Sequence, residues 1–124
     1  MIFETVQEWA HCREAMLKAI ERCEGTHTED DVLEAILRGN MRLIREGTSG
    51  VVVEIHTYPR MKALHCFLVA GNMDEVLRIE ERLPALARSL GCSRVTACGR
   101  HGWAKVLPNH GWEAVTTFMQ KDVT

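Results

Sequence analysis

At 124 residues, with 46% hydrophobic and 26% charged residues, the chain has the length and balance of one globular domain spanning 1–124, and wholesale disorder is excluded. A formal net charge of -2 and a pI near 6.3 give no general drive toward nucleic acid or an anionic membrane. Apolar runs stay short of a membrane helix, Met1-Ile2-Phe3-Glu4 lacks the basic-then-apolar order of a signal peptide, and the five cysteines show no CxxC spacing; a cytoplasmic protein without a disulfide framework is expected.

Thr5-Val6-Gln7-Glu8 has the form of a capping box, and Val6, Trp9, Arg13, Met16, Ile20 and Cys23 recur at three- and four-residue steps. This predicts an amphipathic helix from Val6 to Cys23, stopped by Gly25. Thr28-Glu29-Asp30-Asp31 opens a second helix, with Val32, Leu33, Ile36 and Leu37 as its apolar face and Arg38-Gly39 at its end. The period then changes. Met41 to Glu46, Val51 to Tyr58 and Lys62 to Ala70 read as three strands, joined by connectors short enough to make them antiparallel. Within the second, Val51, Val53, Ile55 and Thr57 share one face while Val52, Glu54, His56 and Tyr58 share the other. The third is apolar on both faces apart from His65, the pattern of a central strand.

Asn72-Met73-Asp74-Glu75 is a further capping pattern, opening a helix that runs toward Gly91, with Pro84 predicting a kink or break near Arg82. Arg94 to Gly99 reads as a strand, Trp103 to Leu107 as one or two helical turns, and Glu113 to Lys121 as a last strand. Two identical tripeptides, His101-Gly102-Trp103 and His110-Gly111-Trp112, are read as glycine turns at positive φ beside packed tryptophans. Their spacing does not match a zinc site, even with Cys98 nearby. Arg94, Arg100, His101 and Lys105 form a small basic cluster read as a solvated patch.

The order α-α-β-β-β-α-β-α-β, together with Ala87-Arg88-Ser89-Leu90-Gly91-Cys92-Ser93-Arg94-Val95 and Leu107-Pro108-Asn109-His110-Gly111-Trp112, resembles the GCN5-related N-acetyltransferase (GNAT) family. Small acetyltransferase-like proteins of tailed bacteriophages have similar endings, which suggests a phage-encoded chain in the host cytoplasm or associated with the virion. The resemblance implies an α+β fold (α/β/α), a mixed, mostly antiparallel sheet with helices on both faces. It implies a transferase that moves an acetyl group from acetyl-CoA to a small-molecule or protein amine. The cofactor would lie against Leu68, Val69, Ala70, Gly71 and Asn72, with backbone donors near Val69 holding the thioester carbonyl. His65, or Glu54 through water, would accept the amine proton, with His56 beside Glu54.

Two departures weigh against that chemistry. The family's Arg/Gln-x-x-Gly-x-Gly/Ala loop binds pyrophosphate, whereas Val69-Ala70-Gly71-Asn72-Met73-Asp74-Glu75 has one glycine, no arginine and two acids at the helix start. The tyrosine that many members place four residues before the late glycine is Leu107 here, and Tyr58 is the chain's single tyrosine. A different class therefore stands beside the enzyme: a catalytically silent GNAT-like module that binds a phage or host protein. Cys66 has no nucleophile signature, and three tryptophans with an incomplete sheet make a homo-oligomer the expected way to cover apolar surface.

Overall fold

The computed structural model describes residues 2–98 and 101–123, apart from the side chain of residue 101. Two helices come first, α1 (Ile2–Glu21) and α2 (Glu29–Leu37). Of the stripe that the three- and four-residue spacing predicts, Trp9, Met16 and Ile20 are buried, with Cys12 and Ala19 beside them, while Val6 and Arg13 are exposed; α1 also begins at Ile2, so Thr5-Val6-Gln7-Glu8 lies inside the helix and does not cap it. The capping box of α2 is complete: Thr28 Oγ1 accepts from the Asp31 N–H at 3.2 Å, and the Asp31 carboxylate accepts from the Thr28 N–H at 2.9 Å.

Strands β1 (Arg42–Glu46), β2 (Ser49–Thr57), β3 (Lys62–Ala70) and β4 (Arg94–Ala97) form one sheet in the order β1-β2-β3-β4. The first three are antiparallel and β4 is parallel to β3. Helix α3 (Met73–Ser89) makes the crossover between the parallel pair. The expected mixed sheet with a helical layer on each face is present. Val52, Leu68 and Ala70 pack with α1 and α2; Val51, Val53, Leu64 and Cys66 pack with Ile79, Leu83 and Ala87 of α3. Alternation along β2 directs its residues to opposite faces, and in β3 a register shift between Cys66 and Leu68 moves Leu68 and Ala70 to the face opposite Leu64 and Cys66.

Three expectations require correction. Pro84 lies inside α3 without breaking it, because Leu83 and Ala87 on either side are both buried in the sheet-facing core and hold the helix across the missing Pro84 N–H. Gly102 is not a positive-φ turn: it lies within α4 (His101–Val106), and the left-handed glycine of the pair is Gly111, at φ 89° after a 3₁₀ turn over Leu107–His110. Glu113 to Lys121 forms no strand; residues 112–123 carry no regular structure, and Val115, Phe118, Met119 and Val123 are 78%, 76%, 84% and 93% exposed. The alternating pattern is there, but the segment pairs with no strand. The end of the expected strand at Gly99, and Arg100 of the basic cluster, lie outside the described residues.

Candidate functional site

The parallel pair β3 and β4 is joined only over Ala63–Cys66 and Arg94–Ala97. Beyond that register, no strand pairs with Phe67 to Ala70 on the β4 side among the described residues, which leaves the end of the pair open as a fork. The ladder to β2 also shifts at this point: Val53 faces Cys66 while Val52 faces Leu68, so Phe67 is an extra residue, a β-bulge at the mouth of the fork. No sequence pattern announces a bulge among apolar residues, and Phe67 was not anticipated.

The closed end of the fork is polar. Glu54 faces His65 and His65 faces Thr96 in the sheet register, so the three side chains form one row across β2, β3 and β4 on the face that α1 covers farther along. His65 Nδ1 lies 2.9 Å from Thr96 Oγ1. The rings of His56 and His65 stack with centroids 4.4 Å apart, and His56 Nε2 lies 2.7 Å from Glu54 Oε1. The structure therefore brings together the three candidate base residues and adds Thr96. Partial burial holds the His65 pKa below its ordinary value, with the charge of His56 acting in the same direction and Glu54 opposing. His65 is thus a neutral imidazole at pH 7, the form that accepts a proton. His27, in the α1–α2 turn, packs on Phe67 with ring centroids 4.5 Å apart, which places a second aromatic group over the bulge.

The open side of the fork continues into a cleft of about 260 Å³ lined by Gly71, Met73, Gly102 and Trp103. Of the expected cofactor-binding residues, Gly71 lines this cleft, while Leu68 and Ala70 are buried in the core with α1 and Val69 packs against the core on the α3 side. A larger groove of about 530 Å³ runs along His11, Lys18 and Arg22 of α1 to Gly71 and Asn72, and no member of the polar row lines either cavity.

The start of α3 is occupied by its own residues. Asn72 Oδ1 accepts from the Glu75 N–H at 2.9 Å. The Glu75 carboxylate accepts from Ser49 Oγ at 2.7 Å, Asn72 Nδ2 at 2.7 Å and the Thr48 N–H at 3.3 Å. These donors, Ser49 first, hold the Glu75 carboxyl below the usual carboxylate range. Gly71 is at φ +116° and an added Cβ would fall 2.0 Å from Ser49 Oγ, so this turn accepts only glycine. Of the two acids that sequence reading sets against a pyrophosphate, Glu75 is therefore fixed in place. Asn72 serves as a helix cap, with both its side-chain atoms engaged.

Cys66 faces the α3 side and burial pushes its thiol up to about 12, which rules out a nucleophilic thiolate at neutral pH. Tyr58, past the end of β2, is half exposed. Trp103 is buried, and Trp112 packs against the α3-side core and donates from Nε1 to Glu80 at 3.0 Å. Among the described residues no cluster of His, Cys, Asp or Glu is arranged to hold a metal, and no helix is long and apolar enough to cross a membrane. His101 has its side chain outside the described residues.

No family model matches the chain, and no curated protein matches it in sequence. In structure it is similar to an acetyltransferase of Trypanosoma brucei, with a TM-score of 0.68 over 94% of this chain and 95% of that one, at 13% identity. At that identity the likeness is one of fold, and it is the acetyltransferase-like α+β fold that the order of elements anticipates.

Proposed function

We propose that the chain is an N-acyltransferase that takes its acyl group from acyl-coenzyme A and passes it to an amine. The observation that carries this reading is the fork: a parallel pair joined over four residues on each strand, then a run of β3 with no strand on its β4 side among the described residues, beside a bulge and a polar row. An extended pantetheine chain fits such an edge because the backbone groups of Phe67–Ala70 that face away from β2 have no strand partner among the described residues, and the amide groups of pantetheine can supply one. The thioester would then sit at the closed end. There a β3 N–H at the bulge polarises the carbonyl and stabilises the tetrahedral oxyanion as the amine nitrogen bonds to the acyl carbon. Collapse breaks the C–S bond and expels the thiolate, which takes its proton from water, Leu107 having none to give. In the tautomer that carries its proton on Nδ1, facing Thr96 Oγ1 at 2.9 Å, His65 leaves Nε2 to accept the proton lost by the amine. Glu54 and His56 are held beside it.

Calorimetric titration with acetyl-CoA tests the reading. Gly102 lines the cleft, and an added Cβ there meets nothing within 4 Å, so Gly102→Phe puts a ring at the cleft without disturbing the core. Wild type is expected to bind and the variant to lose at least tenfold in affinity while melting normally. No binding by wild type at millimolar acetyl-CoA, or equal binding by both, would overturn the proposal.

A second reading, a GNAT-like module that binds a partner without chemistry, is favoured by one observation: Glu75 fills the α3 N-terminus where a diphosphate would otherwise find backbone donors. A phage or host protein partner, in the host cytoplasm or in the virion, is the setting that the resemblance to phage-encoded proteins suggests for it. Absence of acetyl-CoA binding together with stable folding would select it.

A further inference from the structure

Resting on the acyltransferase reading, we propose that the diphosphate of acyl-CoA is held by Lys18 and Arg22 on the flank of α1, and not at the start of α3. Two observations converge on this. The first is that the start of α3 is taken: Asn72 Oδ1 accepts from the Glu75 N–H, and the Glu75 carboxylate accepts from the Ser49 hydroxyl and the Asn72 amide, so a diphosphate there would meet a fixed carboxylate of like charge. The second is the groove of about 530 Å³ beside that turn, along which His11, Lys18 and Arg22 face Gly71 and Asn72. Gly71 lines the cleft of about 260 Å³ as well, so cleft and groove meet at that residue. A pantetheine arm lying along the cleft brings its diphosphate end to Gly71, where the groove offers cations.

Those cations are spaced for two linked phosphates. Arg22 follows the last residue of α1, and its N–H still donates to the Lys18 carbonyl at 3.4 Å, so the helical path continues to Arg22 and sets the two side chains one turn apart on one face. At this spacing Cβ atoms are about 5–6 Å apart, close enough for two long side chains to meet neighbouring phosphates of one ligand. Arg22 has no ion-pair partner among the described residues, and Lys18 reaches Glu14 at 3.9 Å. Glu14 is the acid that lines the groove, and its side chain is 92% exposed, so solvent screens this pair and it yields to a ligand of higher charge. The guanidinium supplies a planar fork and the ammonium a point charge, both suited to phosphate oxygens.

Calorimetric titration of the full chain tests this on wild type and on Lys18→Ala/Arg22→Ala. The probes are acetyl-CoA and acetyl-dephospho-CoA, which keeps the diphosphate and lacks the 3′-phosphate. Both side chains are exposed and alanine favours helix, so the variant should melt as wild type does. It is expected to lose at least tenfold in affinity for both probes, and its residual binding should change less between low and high salt than that of wild type. Equal affinities in wild type and variant overturn the proposal and leave the acyltransferase reading standing. A loss with unchanged salt dependence overturns it as well, and so does a loss confined to acetyl-CoA, which would put the 3′-phosphate at these residues. Absence of binding by wild type overturns both readings together.

Discussion

Ser49 joins three parts of the chain through one hydroxyl. It starts β2, donates to Glu75 of α3 and accepts from the Asn72 N–H at 3.0 Å, and it is fully buried. Ser49→Ala leaves a buried N–H and a carboxylate each short of a partner, and a loss of about 1–3 kcal/mol is expected from denaturant unfolding. An unchanged midpoint would show that the network carries no stability. For His65 the sign follows from its depressed pKa. The neutral form is favoured by folding, so the contribution is fully present above the unfolded value of about 6.5 and is lost as pH falls below it toward the folded pKa. His65→Gln should flatten the stability profile in that acid window. A profile that is identical in wild type and variant contradicts the burial argument. At this scale the sequence was legible where partners are near in the chain, as with the Asn72–Glu75 cap. It was silent on Ser49, on Thr96 facing His65 and on His27 against Phe67, because those contacts depend on sheet register and on the bulge, which period-2 patterns do not specify.

Among the elements, α3 shows tertiary packing overriding local preference. Its proline predicts a kink or a break, and the break is absent: Ile79, Leu83 and Ala87 are each at most 3% exposed and hold α3 unbroken. Pro84→Ala restores the missing N–H bond to the helix. Stability should rise by about 2 kcal/mol, the ~3 kcal/mol of an interior proline less the ~1 kcal/mol by which proline restrains the unfolded chain. A lowered melting midpoint would mean that the ring itself is needed for packing. Ile79→Ala should cost about 2–5 kcal/mol, since Ile79 is wholly buried against β2 and β3. Element type was readable for α1 through α4 and β1 through β4 because each has a clear period and a chemical stop. The error fell on Glu113 to Lys121, where alternation states a capacity to pair and contains nothing about whether a partner strand is within reach.

For the whole molecule, the order of elements was enough to anticipate the fold, because the antiparallel connectors and a single crossover leave few ways to arrange four strands. The fork was not legible. It arises from a four-residue β4 beside a nine-residue β3, a length mismatch visible only once the ladder is known. That mismatch gives the molecule an open backbone edge, a polar row at its closed end and a cleft leading away from it. The functional proposal rests on this arrangement, whatever the affinity lost by placing Glu75 at the start of α3. The most direct measurement is amide hydrogen exchange, residue by residue, with and without saturating acetyl-CoA. The account predicts slowed exchange centred on Phe67 to Ala70 and extending to Met73. Unchanged exchange along that run, or protection confined to the groove beside Lys18 and Arg22 of α1, would contradict it.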